Sequence, residues 1–242
     1  MGDDQHQDVE LYAGEIGRVL AVVAHPDDLE YGAAAAVARW TRAGSEVVYV
    51  LATRGEAGID GLAPHECAPI RVEEQERSAA VVGVDVVEFL DHADGVLTYG
   101  PQLRSDIAAA IRRHRPDTLL LINHHKSWGS PGTLNSADHR ALGLAALDAA
   151  ADAGNRWIFP GVGGDAHKVS RAMVAASPEA RHAVDVTDTV DAGIASLAEH
   201  VAYLEGLGDH PMADPEFLRW MLADAGRRAG CESAVLVELF EF

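Results

Sequence analysis

At 242 residues and 48% hydrophobic composition, the chain can bury a sizeable core as one α/β domain or two small ones. Its 38 acidic residues against 19 basic ones give a formal net charge of −19, which argues against nucleic acid or an anionic membrane as a main partner. Cys67 and Cys231 show neither zinc nor redox spacing and read as incidental thiols, not as a disulfide framework.

The opening, Met1 to Val9, is polar and acid-rich, unlike a secretory leader or a membrane anchor. No apolar run reaches about 18 residues, so no membrane span is expected and a cytoplasmic location follows. Residues 18–24 are apolar and β-branched and predict a buried strand. Residues 32–43, Ala-rich with Trp40, predict a helix stopped by Gly44. A strand over 46–52, a long Gly- and Pro-rich loop over 53–70, a helix over 71–82 and a strand over 84–90 follow. Residues 101–114 fit a helix with Pro101 in its first turn. Residues 117–123 form a fourth, apolar strand, followed by a loop with Gly129, Pro131 and Gly132 and a helix over 136–153. Strands alternating with such helices imply parallel βαβ units with right-handed crossovers, hence an α/β fold with a mostly parallel sheet.

The last third reads differently. Short strands are expected over 171–176 and 183–186, and a long helix over 187–207 capped by Thr187 or Asp188. A helix over 215–229 and a final strand over 233–242 complete it. This divides the chain into a core, 1–155, that carries the chemistry and a small α+β appendage, 156–242, that covers the same sheet edge.

His25-Pro26-Asp27-Asp28 emerges where the first strand ends, and open α/β sheets place their ligand sites at that end. Pro26 biases His25 towards an extended conformation and stiffens the turn. Adjacent carboxylates leave an irregular backbone in different directions, so one can hold a metal while the other faces the water on it. Taken alone, the four residues read equally as a strand-to-helix turn with Asp as N-cap. Catalytic zinc usually has three protein ligands and an open position, so a further ligand is expected from another strand end. Asn135-Ser136-Ala137-Asp138-His139 follows the fourth strand and opens a helix, which puts His139 in the first turn facing the sheet edge. Two histidines and a carboxylate suit Zn²⁺. Asp138 is placed to orient its neighbours or to cap the helix. His139 by itself reads equally as a solvent-facing helix residue.

Together, Ala24-His25-Pro26-Asp27-Asp28, Arg54-Gly55-Glu56-Ala57-Gly58 and Asp138-His139-Arg140 resemble the LmbE-like or PIG-L family of zinc-dependent N-deacetylases. The order and spacing match over about residues 18–155, and the helix with Arg71 and Glu74 and the turn 91–95 fit the same pattern. The resemblance implies a Rossmann-like, three-layer αβα fold. It implies one Zn²⁺ per chain on His25, Asp28 and His139, with Asp27 as general base. It also implies hydrolysis of an acetamide, commonly on an amino sugar. The chemistry agrees: Zn²⁺ polarises the carbonyl and brings the pKa of its water towards ~7, and Asp27 can carry the water's proton to the leaving amine.

The chain departs from relatives in thiol biosynthesis, which often carry a histidine where Ser136 stands and a tyrosine where Leu134 stands. Another oxyanion donor is then needed, and His124, ahead of His125, is the candidate at the end of the fourth strand. Both read equally as polar loop residues. Arg71 and Asp94 are candidates for substrate contact. Arg71 beside Glu74 also reads as a solvated pair, and Asp94 before Gly95 as turn chemistry. His200 is either a wall of the site or a surface residue. Gly161-Val162-Gly163-Gly164 lacks the following helix of a dinucleotide loop, and there is no phosphate-binding Gly-Lys-Ser/Thr loop and no Gly-x-Ser-x-Gly elbow. The expected partner is a small N-acyl substrate, and a homo-oligomer is allowed. Two other readings are an amidase cleaving a mycothiol-like thiol conjugate and a binding protein without turnover. The intact Asp27 argues against the latter.

Overall fold

A computed structural model of the chain describes residues 9–129 and 132–242. The polar opening up to residue 8 and the loop position Pro131 lie outside the described residues.

The elements run β1 (Glu10–Leu11), β2 (Val19–Val23), α1 (Asp28–Gly32), α2 (Ala34–Arg42), β3 (Val47–Leu51), α3 (Pro64–Val81), β4 (Val86–Phe89) and α4 (Pro101–His114). They continue β5 (Thr118–Ile122), α5 (Ala137–Ala153), β6 (Arg171–Ala175), β7 (His182–Asp185), α6 (Val190–Ala198), α7 (Val201–Gly206), α8 (Phe217–Ala229) and β8 (Ala234–Glu241). The eight strands form one open sheet in the order β1-β7-β8-β6-β5-β2-β3-β4. All neighbours are parallel except the pairs that β8 makes with β6 and β7. The expectation of a mostly parallel, three-layer α/β fold is met.

The layering follows from the strands. β2 and β5 are buried on both faces, so their side chains feed two cores in alternation. Val19, Ala21 and Val23 join Leu120 and Ile122 under α1, α2, α6 and α8. Leu20 and Val22 join Leu119 and Leu121 under α4 and α5. Each such fully buried Val, Leu or Ile side chain contributes about 1.5–3 kcal/mol by leaving water. Residues 156–242 supply β6, β7 and β8 to this same sheet and pack α6 and α8 on the first of the two cores.

Four local expectations change. The loop assigned to 53–70 is shorter, because α3 begins at Pro64 and continues through Pro69. Pro64 stands in the first turn, where its missing N–H costs nothing, and the Glu66 carboxylate accepts the Ala63 N–H. The helix expected over 32–43 begins later, as α2 at Ala34, and is preceded by the short α1 over Asp28–Gly32. The helix expected over 187–207 breaks between α6 and α7, where His200 turns into the interior. Its N-cap is Thr189, whose hydroxyl donates to Ala35 O, so neither Thr187 nor Asp188 caps it. The Gly161–Gly164 run packs on α4: a Cβ on Gly163 (φ 72°) would stand 2.4 Å from the Ala109 backbone. Among the described residues no helix is long and apolar enough to cross a membrane.

A candidate metal centre at the switch point of the sheet

From β2 the chain winds outward through β3 and β4, then returns to place β5 on the other flank of β2. The crevice between β2 and β5 is therefore the point where strand order reverses, the usual ligand position in open α/β sheets. His25-Pro26-Asp27-Asp28 leaves β2 there, and the segment after β5 brings in His139. His25, Asp28 and His139 each offer one ligand atom, and these atoms lie within 4.8 Å of one another.

Each ligand is held by the protein. Oδ2 of Asp28 accepts the N–H groups of Ala24 (3.0 Å) and His25 (2.9 Å), the first two residues beyond β2. Its Oδ1 lies 3.0 Å from Nε2 of His139. Nδ1 of His139 lies 2.9 Å from Oδ1 of Asn135, so its hydrogen is committed and the Nε2 lone pair faces the cluster. Asn135 is fixed in turn, donating to Asn123 O (2.7 Å) and His125 O (3.1 Å) at the exit of β5. Ser136 caps α5, its hydroxyl accepting the His139 N–H at 3.0 Å. Nε2 of His25 faces Asp94 (3.0 Å) and Asp138 (3.3 Å), which leaves Nδ1 on the Asp28 side, 3.6 Å from Oδ2.

Those two carboxylates are themselves anchored. Asp138 accepts the N–H groups of Gly95 (2.8 Å) and Leu97 (3.0 Å). Asp94 accepts from Ala57 N (2.8 Å), and its own N–H donates to Glu56 (2.9 Å). The loop around Glu56 thus braces the turn 91–95, and that turn braces His25. Burial works against a charged His25, but Asp28, Asp138 and Asp94 outweigh it and raise its pKa well above the usual value. Burial would likewise raise Asp28, but His139 and His25 pull it far below the usual carboxylate range.

Asp27 stands apart from this set. It occupies the left-handed region (φ 81°), a strained conformation for a residue with a side chain, as N-cap of α1. Two residues one turn apart on α3 hold it. Arg71 pairs with its Oδ2 and donates to Pro26 O at 2.5 Å, and Gln75 accepts its N–H at 3.1 Å. Burial raises the Asp27 pKa to about 6, against the lowering influence of Arg71.

The structure fixes where Arg71, Asp94, His124, His125 and His200 stand. Arg71 is neither a substrate contact nor a solvated partner of Glu74: it is 1% exposed, its guanidinium is given to Asp27 and Pro26, and Tyr203 stacks on it at 4.0 Å. Asp94 faces His25 Nε2 with one carboxylate oxygen and accepts the Ala57 N–H with the other. His124 and His125 do not line the cleft. His125 pairs with Glu238 at 2.8 Å, and His124 stacks on His125 with its Cβ against the backbone of Gly143. Burial and then His125 lower the His124 pKa. His200 is neither wall nor surface; it is fully buried, 3.6 Å from Glu30. Asn135 and Gln75 were not singled out in the sequence. For Gln75 the available signal was its four-residue spacing from Arg71, which puts the pair on one face of α3; Asn135 precedes the N-cap of α5 and carried no such signal.

The cluster opens into a cavity of about 880 Å³ whose lining includes Asp27, Asp28, His139, Trp128 and Tyr203. Trp128 meets the His139 ring edge-on at 5.7 Å. The donor set suits a catalytic divalent cation: two imidazoles with opposed, fixed tautomers, one carboxylate, and an open side towards the cavity.

Comparison with known proteins agrees with this geometry. Residues 20–150 match the family model described as PIG-L: GlcNAc-PI de-N-acetylase. The chain is 31% identical over 194 residues to diacetylchitobiose deacetylase of Thermococcus kodakarensis, covering 77% of this chain and 70% of that protein. It is 31% identical over 172 residues to the 1D-myo-inositol 2-acetamido-2-deoxy-alpha-D-glucopyranoside deacetylase of Kineococcus radiotolerans, covering 57% of this chain and 48% of that protein. The solved N,N'-diacetylchitobiose deacetylase of Pyrococcus horikoshii superposes with a TM-score of 0.80 at 24% identity, covering 94% of this chain and 85% of that one, and shares the fold.

Proposed function

The chain belongs to the PIG-L, GlcNAc-PI de-N-acetylase, family, and from that premise we propose that it is a zinc-dependent hydrolase removing an acetyl or longer acyl group from the amide nitrogen of an amino sugar or glycosylated small molecule. One observation carries the reading: ligand atoms of His25, Asp28 and His139 converge within 4.8 Å, beside a buried carboxylate, Asp27, that is not one of them. Both curated relatives are named as deacetylases of N-acetylated sugar derivatives, which supports the substrate class.

His25, Asp28 and His139 would hold a divalent cation, which when bound would supply a Lewis acid for the amide carbonyl and a lowered pKa for its water. The side chains do the rest. Asp28 is engaged by the Ala24 and His25 N–H groups and by His139, so it is not free to move a proton. Asp27 is free on one oxygen, the other being held by Arg71. That free oxygen takes the proton of the attacking water and returns it to the departing amine nitrogen. Arg71 favours the ionised form of Asp27 and, with Gln75, fixes its direction. Asp138 and Asp94 orient His25, and Asn135 orients His139.

The test pairs elemental analysis with release of acetate and free amine across a panel of N-acetylated amino sugars. The expected result is about one zinc per chain and turnover of at least one panel member. Zinc-replete protein that turns over none of them rejects the reading.

A further inference from the structure

A buried polar stripe stands behind Asp27. Arg71, Gln75 and Ser78 follow one another at helical spacing on one face of α3, and each is 1% exposed or less. The stripe meets the segment that carries His25-Pro26-Asp27-Asp28. Arg71 takes the Asp27 carboxylate, and Oε1 of Gln75 accepts the Asp27 N–H. The other end of the Gln75 amide donates to Oε1 of Glu30 at 2.9 Å, and the Ser78 hydroxyl donates to the same oxygen at 2.6 Å. Glu30 lies in α1 with its side chain fully buried, and His200 stands 3.6 Å from its second oxygen.

Glu30 is not among the residues that line the cleft. Burying a carboxyl is costly unless donors surround it, and an apolar side chain would fill the same place without that cost. What Glu30 does there is set an orientation. A glutamine amide turns about a broad terminal torsion, and its two ends differ in being donor or acceptor. The Glu30 carboxyl takes the NH₂ end, which leaves the oxygen facing the Asp27 N–H. Turned over, the amide would oppose one donor to another. Asp27 needs that bond, because its left-handed conformation (φ 81°) persists only where the surroundings over-determine it.

We propose that Glu30 is a positioning residue for the base: through the Gln75 amide it holds the Asp27 backbone in the conformation that presents the carboxylate to the cleft. The inference rests on the deacylase reading, in which Asp27 moves the proton.

Glu30→Met removes the acceptor at similar side-chain length, and Glu30→Ala leaves room for water around the stranded donors. Both are made in the full chain, loaded with zinc and shown to fold by a thermal transition. Against an N-acetylated sugar that the parent turns over, kcat is expected to fall about tenfold or more, with KM and zinc affinity within about threefold of the parent. Glu30→Gln keeps an oxygen for Gln75 and Ser78 and is expected to recover most of the loss. In an Asp27→Asn background, Glu30→Met is expected to cost less than about twofold, because a residue that acts only through Asp27 has no base left to position. A second readout needs no turnover: exchange of the Asp27 amide hydrogen, followed by NMR, is expected to quicken about tenfold or more in Glu30→Met and Glu30→Ala. Parent-like kcat or parent-like exchange in a folded variant overturns the inference. So does an equal fold-loss in the Asp27→Asn background, or a Glu30→Gln that loses as much as Glu30→Met. Absence of turnover in the parent rejects the deacylase reading, and the exchange rates still judge Glu30. An inactive Asp27→Asn beside parent-like Glu30 variants refutes this inference and leaves that reading standing.

Discussion

Oδ2 of Asp138 lies 3.3 Å from Nε2 of His25, so the motif that delivers one histidine of the candidate centre also holds the other in place. Asp94 shares that contact at 3.0 Å. Removing Asp138 therefore loosens His25 without deleting a ligand. Asp138→Ala is expected to weaken zinc binding about 10- to 100-fold, the range for lost supporting hydrogen bonds around a metal site. Competition against a chelator of known affinity measures it. An unchanged affinity would show that Asp94 alone orients the ring.

Deleting a ligand has a larger effect than loosening one. His25→Ala, Asp28→Ala and His139→Ala each leave two protein ligands, too few for a stable catalytic site. Zinc content after dialysis is expected to fall from about one per chain to near zero in all three. Retention of zinc in any of them removes that residue from the ligand set.

Much of this centre was legible in the sequence because strand ends are legible. The apolar runs of β2 and β5 mark where the chain leaves the sheet; His25 and Asp28 follow the exit of β2 directly, and His139 opens the helix that comes after the loop beyond β5. Of the two roles open to Asp138, the structure uses it to orient His25, and Ser136 caps the helix instead. What stayed hidden was burial of charge. Arg71 sits in a helix with flanking glutamates and looks solvated; only its pairing with Asp27, 44 residues away, takes it inside. The direction of His124 was equally hidden, because one residue of register decides which face a strand end presents. At the break, His200 comes within 3.6 Å of Glu30, which is remote in sequence.

Asp27 carries a pH prediction. Burial raises its pKa to about 6, and Arg71 is the strongest influence in the opposite direction. A general base works only when ionised, so kcat/KM is expected to fall as pH drops through about 6. Arg71→Met removes the lowering influence, the Asp27 pKa rises further, and the acid limb moves to higher pH by about one unit or more. Asp27→Asn is expected to keep zinc and lose about 10² or more in kcat. A pH–rate profile of Arg71→Met that overlays the parent would separate Arg71 from the base, and near-normal turnover in Asp27→Asn would dismiss Asp27 from the role.

At the opposite end of the strands, Arg112 carries a prediction about stability alone. It is 3% exposed near the end of α4, and its guanidinium donates to six carbonyls: Asp152, Ala153, Asn155, Ile158, Phe159 and Val162. These are the last carbonyls of α5 and the turns that follow it, groups that a helix end leaves without partners. One cation therefore closes α5 and fastens the Gly161–Gly164 turn onto α4. Arg112→Leu keeps apolar bulk but strands several buried acceptors at once, each at about 1–3 kcal/mol, partly recovered by water. The expected loss is about 3 kcal/mol or more, or roughly 6–12 °C in Tm for a chain of this size. Arg112→Lys, with one compact donor group in place of a planar fork, is expected to recover less than half of it. Zinc affinity should stay within about twofold of the parent, because none of the six carbonyls touches the candidate centre. Denaturant unfolding and zinc competition on the same preparations decide it: a loss below about 1 kcal/mol would mean that water replaces Arg112 at little cost, and a parallel loss of zinc would mean that the two ends of the strands are coupled.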